Sequence, residues 1–159
     1  MGMDVYGNKP DTYFRANMWS WRPIVYLTDF FLEAIKGSDY EDQLKIDTEA
    51  WHYNDGAGLK NQEQCNLLAS GLESIIKKKK WYDDDTIYVA RGYWQMLGGG
   101  KIHGSTRAML NRKFPHGTIM CNAYVHNYGR TYYPTHGIEV SHLKEFISFL
   151  KDCEGFKIM

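Results

Sequence analysis

The sequence lacks the short patterns that identify common enzymes and metal proteins. It contains no HExxH segment, no GxSxG segment and no Cys-x-x-Cys pair, which would supply zinc ligands, a serine nucleophile or a thiol pair. Its three cysteines, Cys65, Cys121 and Cys153, are far apart and odd in number. We therefore expect no disulfide framework, no metal site and no cofactor. We expect Cys65 and Cys153 to be small buried side chains in helices, and Cys121 to lie in a strand.

Long apolar runs and an excess of one charge are also missing. No stretch is long enough to cross a bilayer, and no basic region followed by an apolar run begins the chain. We therefore expect a cytoplasmic protein with no membrane association. Lys plus Arg and Asp plus Glu number 19 each, so the formal net charge is zero. This balance argues against extended nucleic-acid binding, which needs a basic face.

Aromatic side chains, by contrast, are abundant in the sequence. The chain of 159 residues is 43% apolar and holds 12 Tyr and 5 Trp, which is enough to bury the core of one domain over residues 1–159. Tyr and Trp join a large apolar face to a polar tip, so they suit binding surfaces as well as cores. We expect homodimerisation from this aromatic content.

The spacing of apolar residues predicts an α+β fold. It indicates a single compact domain of about three helices packed on a small, mostly antiparallel sheet. The predicted helices begin at Pro23, Asn61 and Ser141, and residues 105–113 suggest a further short helix. The predicted strands cover residues 3–6, 13–21, 86–93, 118–128 and 156–158, while residues 131–140 are expected to be irregular.

The segment from Tyr13 to Pro23 is the best candidate for a binding site. If it is a strand, its odd-numbered residues share one face. An arginine guanidinium can donate two hydrogen bonds to a phosphate, and aromatic rings can stack on a base. The alternative is that the tryptophans are core anchors and that the arginine stacks on a ring. The candidate ligand-binding residues are Arg15, Asn17, Trp19, Trp21 and Arg22, with Asn54 and Asp55 on the rim.

Asn54 and Asp55 enter this prediction because glycines follow them. Gly56 and Gly58 let the backbone approach a ligand closely, and a helix is predicted after them, whose first N–H groups could receive an anion. The alternative is an ordinary turn followed by an N-cap.

Two histidines allow a catalytic interpretation. His103-Gly-Ser and His116-Gly-Thr both have the form His-x-Ser/Thr. Pairs of this form serve as general acid and base in two-histidine phosphoesterases. Here the two motifs are 13 positions apart, whereas in those enzymes they come from well-separated strands.

The N-terminal motifs resemble a known family of small uncharacterised proteins from bacteriophages and bacteria. The resemblance lies in GMDVYG at residues 2–7, YFRxNxWxWRP at residues 13–23, NDGxGL at residues 54–59 and a helix-plus-tail pattern at residues 140–156. It covers roughly the first 75 and the last 20 residues. Many relatives carry a central insertion with CxxC pairs that this chain lacks, so a zinc role does not transfer. The resemblance implies a phage or mobile-element accessory protein and supplies no catalytic residue.

Three functions follow as hypotheses. The leading one is a non-enzymatic protein that binds a small anionic, nucleotide-like ligand and so counters host defence. The second is a phosphoesterase-type enzyme that uses His103 or His116. The third is an inhibitor that binds a host protein through exposed aromatic side chains.

Overall fold

The computed structural model describes residues 2–78, 85–120 and 124–159. Within these ranges there are four α-helices, and two short 3-10 segments at Glu41–Gln43 and Thr48–His52. The helices are α1 (Met18–Ala34), α2 (Gln62–Lys78), α3 (Gly104–Lys113) and α4 (Val140–Asp152). The strands are β1 (Gly2–Gly7), β2 (Tyr13–Asn17), β3 (Gly58–Leu59), β4 (Thr86–Ala90), β5 (Trp94–Met96), β6 (Thr118–Met120), β7 (Val125–Asn127), β8 (Arg130–Pro134), β9 (Gly137–Glu139) and β10 (Phe156–Ile158).

The strands form three small sheets in the described part of the chain. The largest has the order β2-β1-β10-β3, and the other two have the orders β6-β4-β9 and β5-β8-β7. Every pairing is antiparallel. The α+β class is therefore confirmed, and so is the antiparallel pairing.

The predicted count of three helices on one sheet is wrong in detail. The short segment predicted at residues 105–113 is the full helix α3, and the strands separate into three sheets. Glycines with positive φ, such as Gly92 and Gly129, end several strands after three to five residues. Residues 131–140, expected to be irregular, contain β8 and β9. The strand predicted over residues 118–128 is β6 and β7, which lie in different sheets, and Cys121 falls outside the described residues.

The prediction of one strand from residue 13 to residue 21 is wrong at the junction between β2 and α1. The strand ends at Asn17, whose side-chain oxygen accepts a hydrogen bond from the backbone N–H of Ser20 at 2.9 Å. This N-cap starts α1 at Met18. Pro23 consequently lies inside the helix rather than in its first turn, where it removes the backbone hydrogen bond to the Trp19 carbonyl.

The other predicted helix ends are partly confirmed. Asn61 caps α2, since its side-chain oxygen accepts from the N–H of Gln64 at 2.9 Å. Gly37 and Gly155 have φ of 78° and 99° after α1 and α4, as their places at helix ends require. The prediction that Ser141 caps α4 is wrong, because that helix begins one residue earlier, after Glu139.

Aromatic rings fill the centre of the larger hydrophobic cluster. Trp21 stacks on Trp51 with ring centroids 6.2 Å apart and meets Phe146 edge-on at 5.7 Å. The indole N–H of Trp21 donates to the carbonyl oxygen of Trp51 at 2.7 Å. Trp21 thus anchors α1 to the 3-10 segment Thr48–His52, and it is a core residue.

A second, smaller cluster joins α3 to the two three-stranded sheets. Its buried residues include Trp94 of β5 and Leu110 of α3. The indole N–H of Trp94 donates to the side-chain oxygen of Asn111 at 2.9 Å. None of the helices in the described ranges has the length and apolar content needed to cross a lipid bilayer.

We predict that Trp21→Phe lowers the free energy of unfolding by about 2–4 kcal/mol. The change deletes a buried hydrogen bond, leaves the Trp51 carbonyl unsatisfied and opens a cavity. Urea denaturation followed by circular dichroism measures this loss. The matched control is Trp19→Phe on the exposed face of the same helix, which should stay within about 0.5 kcal/mol of the wild type. Equal losses for both variants would contradict the core role of Trp21.

Candidate functional site

The predicted site residues separate into different places. Arg15 is exposed on β2 and lies 3.6 Å from the carboxylate of Asp4. It lines a cavity of about 980 Å³ beside the start of α4, together with His142 and Glu145. Arg22 lines a different cavity, which Arg15 does not reach. The two arginines therefore do not converge on one ligand.

The remaining predicted residues also divide. Trp21 is buried in the core, and the side chain of Asn17 is the N-cap of α1. Trp19 is exposed on α1. Asn54 and Asp55 are exposed in the turn after the 3-10 segment and do not line the cavity that contains Arg22. Arg15 and Asn17 thus line one cavity together, and Arg22 and Trp21 line another. Asn17, Trp19 and Arg22 also border a small hollow.

Arg22 instead faces a second arginine that the sequence did not single out. A cavity of about 530 Å³ opens between α1, the 3-10 segment Thr48–His52 and the loop that joins β4 to β5. We call it the two-arginine cavity. Its principal side chains are Arg22 and Tyr26 of α1, Glu49 and His52 of the 3-10 segment, and Arg91 and Tyr93 of the loop.

Tyr26 is the central ring of this cavity. The guanidinium carbon of Arg91 lies 4.1 Å from the centroid of the Tyr26 ring, which is a cation–π contact. The ring of His52 lies 5.9 Å from it on one side, and the ring of His136 lies 5.4 Å from it on another. These contacts hold the Arg91 side chain in place before any ligand arrives.

The positive charge of the cavity is poorly compensated. Among the described residues, neither Arg22 nor Arg91 forms an ion pair, and the Nε–H group of Arg91 is buried without a hydrogen-bond acceptor. Glu49 is the carboxylate that lines the cavity in this part of the structure, and its side chain is exposed. A partly buried guanidinium without a carboxylate is costly, so the cavity favours an anion.

His136 lies behind the cavity and adds to this polarity. It is only 4% exposed, and its ring sits 5.4 Å from both Tyr26 and Tyr93. Neither ring nitrogen has a hydrogen-bond partner among residues 2–78, 85–120 and 124–159. Burial, followed by the charges of Arg22 and Arg91, holds the pKa of His136 below its ordinary value. The imidazole is therefore neutral at neutral pH.

The histidines of the catalytic interpretation lie elsewhere. His103 is exposed just before α3, and its side chain makes no capping hydrogen bond. His116 lies before β6, and its side chain is mostly exposed. The partial burial of its ring, followed by the charge of Arg91, lowers the pKa of His116. Neither lines the two-arginine cavity. The phosphoesterase interpretation stays a prediction.

Cys65 and Cys153 are buried thiols, as predicted. Their sulfur atoms are 3.6 Å apart between α2 and the end of α4. The hydrogen bond between them, together with burial, raises the pKa of Cys65. Neither thiol borders the two-arginine cavity. Across the described ranges, no group of three or more His, Cys, Asp or Glu side chains is arranged to hold a metal ion.

The sequence carried a signal for part of this site. Trp19, Arg22 and Tyr26 have the spacing i, i+3 and i+7, which places them on one face of a helix. That signal is hidden when the segment is interpreted as a strand. His52 lies in the turn-rich segment 51–58 that the sequence also indicates as a candidate. Arg91 and His136 had no such signal, because their contacts with α1 are between residues far apart in the chain.

Comparisons of the chain with protein-family models, with curated proteins and with solved structures find no match. The functional argument therefore rests on the geometry of the cavity.

We predict that the titration of His136 makes the free energy of unfolding decrease as the pH falls. Its pKa is lower in the folded protein than the unfolded value of about 6.5. Between those two values the unfolded chain binds more protons, so the free energy of unfolding decreases as the pH falls below about 6.5 and through the folded pKa. Urea denaturation at about pH 7.5 and about pH 5 measures this decrease.

The matched variant is His136→Phe, which keeps a ring and removes the titration. The difference in free energy of unfolding between the two pH values should be smaller in this variant than in the wild type. It should not vanish, because the lowered pKa of His116 acts in the same direction. An equal difference in both proteins would show that His136 is not the buried titrating group.

Proposed function

We propose that the protein binds a small anionic, nucleotide-like ligand in the two-arginine cavity. The observation that carries the proposal is the pair Arg22 and Arg91, which line one cavity without an ion-pair partner in the described part of the chain. Guanidinium groups bind phosphate oxygens through paired N–H donors. A phosphate bound there would give both guanidinium groups an anionic partner, which they lack among the described residues.

The other walls of the cavity favour a ligand with more than a bare phosphate. Tyr26, Tyr93 and His52 present rings around the two arginines. Its volume of about 530 Å³ lies within the range of roughly 300–1,000 Å³ that small-molecule sites occupy. Rings beside arginines suit a heterocycle joined to phosphate, and this combination supports a nucleotide-like ligand.

The proposed setting comes from the resemblance of the N-terminal motifs to phage and bacterial proteins. A small phage or mobile-element protein with such a cavity would sequester a host signalling nucleotide and so counter host defence. The proposal includes no catalysis and no extended nucleic acid.

We predict that Arg22→Gln and Arg91→Gln each weaken the binding of pyrophosphate by about 10-fold to 100-fold. Each change removes one pair of charge-assisted hydrogen bonds, worth roughly 1.5–3 kcal/mol, while keeping a polar, uncharged side chain. Isothermal titration calorimetry without divalent cations measures the dissociation constants. Arg15→Gln is the matched control, since it removes the same charge from the other cavity and should change nothing. The proposal fails if wild-type protein binds neither pyrophosphate nor nucleotides, or if only Arg15→Gln reduces binding.

Glu49 provides a test in the opposite direction. Its carboxylate lines the same cavity and repels an anion there. We predict that Glu49→Gln strengthens pyrophosphate binding by about twofold to fivefold, because an exposed charge acts through a high dielectric. The same titration measures it. Weaker binding in this variant would mean that the carboxylate contributes to the ligand site rather than opposing it.

A further inference from the structure

Trp19, near the start of α1, borders a second cleft. This cleft has a volume of about 580 Å³, and its walls include Trp19, Gln95, Leu97, Tyr124, Tyr133 and Thr135. We call it the ring cleft. Trp19 is 67% exposed, Leu97 60% and Tyr124 50%. Large apolar side chains that cluster on a surface to this degree mark a place where something binds.

The ring cleft and the two-arginine cavity each share lining residues with a third hollow. A smaller hollow of about 280 Å³ is lined by Asn17, Met18, Trp19 and Arg22. Met18 and Arg22 also line the two-arginine cavity, and Trp19 also lines the ring cleft. The hollow therefore borders both the arginine end and the cleft through shared side chains.

Helix α1 sets the distance between Trp19, which lines the ring cleft, and Arg22, which lines the two-arginine cavity. Trp19 and Arg22 are three residues apart in α1, so their Cβ atoms are neighbours at roughly 5–6 Å. Tyr26, which carries Arg91 on its ring, continues the same face one turn further. One face of one helix thus presents an exposed indole, then a guanidinium, then a ring with a second guanidinium over it.

The chemistry of the cleft fits a flat heterocycle. The rings of Tyr124 and Tyr133 meet at an interplanar angle of 66°, with centroids 6.3 Å apart. The hydroxyl of Tyr133 donates to the side-chain oxygen of Gln95 at 2.7 Å. Indole and phenol faces stack on any base, and side chains such as Gln95 and Thr135 can hydrogen-bond a base edge.

We propose that the ring cleft is a subsite for the base of the ligand, with Trp19 as its stacking face. This inference rests on the proposed function, because it takes the phosphate to be held by Arg22 and Arg91. It narrows the ligand class to molecules that carry a heterocycle and a phosphate together, such as a nucleoside diphosphate. Inorganic phosphates and sugar phosphates would occupy only the arginine end.

The test compares two ligands in two proteins. Isothermal titration calorimetry gives the dissociation constants of pyrophosphate and of ADP, without divalent cations, for the wild type and for Trp19→Ala. Stacking of one base contributes roughly 1–3 kcal/mol, which is about 5-fold to 150-fold in affinity. We expect Trp19→Ala to weaken the binding of ADP by such a factor and to leave the binding of pyrophosphate unchanged. Tyr40→Ala is the control, since it removes an exposed ring that lines neither cavity.

Each other outcome overturns the inference in a recognisable way. If pyrophosphate and ADP both bind and Trp19→Ala alters neither, the ring cleft is not a base subsite, although the anion site stands. If neither ligand binds the wild type, the proposed function fails and the subsite fails with it. If sedimentation shows a dimer that Trp19→Ala dissociates while ADP binding is unchanged, the cleft belongs to a second copy of the chain.

Discussion

The hydrogen bond from the backbone N–H of Ser20 to the side chain of Asn17 sets the arrangement of the whole candidate site. It ends β2 and starts α1, and it therefore decides the rotation of every side chain that follows. With the helix in this phase, Trp21 enters the core and donates to the Trp51 carbonyl. The same phase turns Trp19 and Arg22 outward, toward the surface where the two cavities open.

The proposed function rests on a charge that has no ion-pair partner in the described part of the chain. Arg91 is held against Tyr26, its Nε–H has no acceptor among the described residues, and Arg22 lines the same cavity. A folded protein normally satisfies a buried donor or exposes it to water. Here the neutral His136 behind the tyrosines adds a second unsatisfied polar group. An anion in the cavity would give both arginines a partner, and this is why we propose a binding protein.

The sequence predicted the elements better than it predicted the site. Apolar spacing found α2 and the closing strand at residues 156–158, and it recognised Asn61 as a cap, because these features depend on neighbouring residues. The predicted start of α1 is wrong, since alternating aromatic residues imitate a strand that runs past the N-cap residue Asn17. Arg22 and Trp19 were named, but Arg91 was not, because only tertiary packing brings it onto Tyr26. The division of short strands among three sheets likewise depends on contacts that no local pattern encodes.

A crystal structure of the protein with ADP tests the central claim most directly. The account predicts phosphate oxygens within hydrogen-bonding distance of Arg22 and Arg91, and the adenine ring stacked on Trp19. Density for the ligand in the cavity beside Arg15, with the two-arginine cavity unoccupied and its side chains unchanged, would contradict the account.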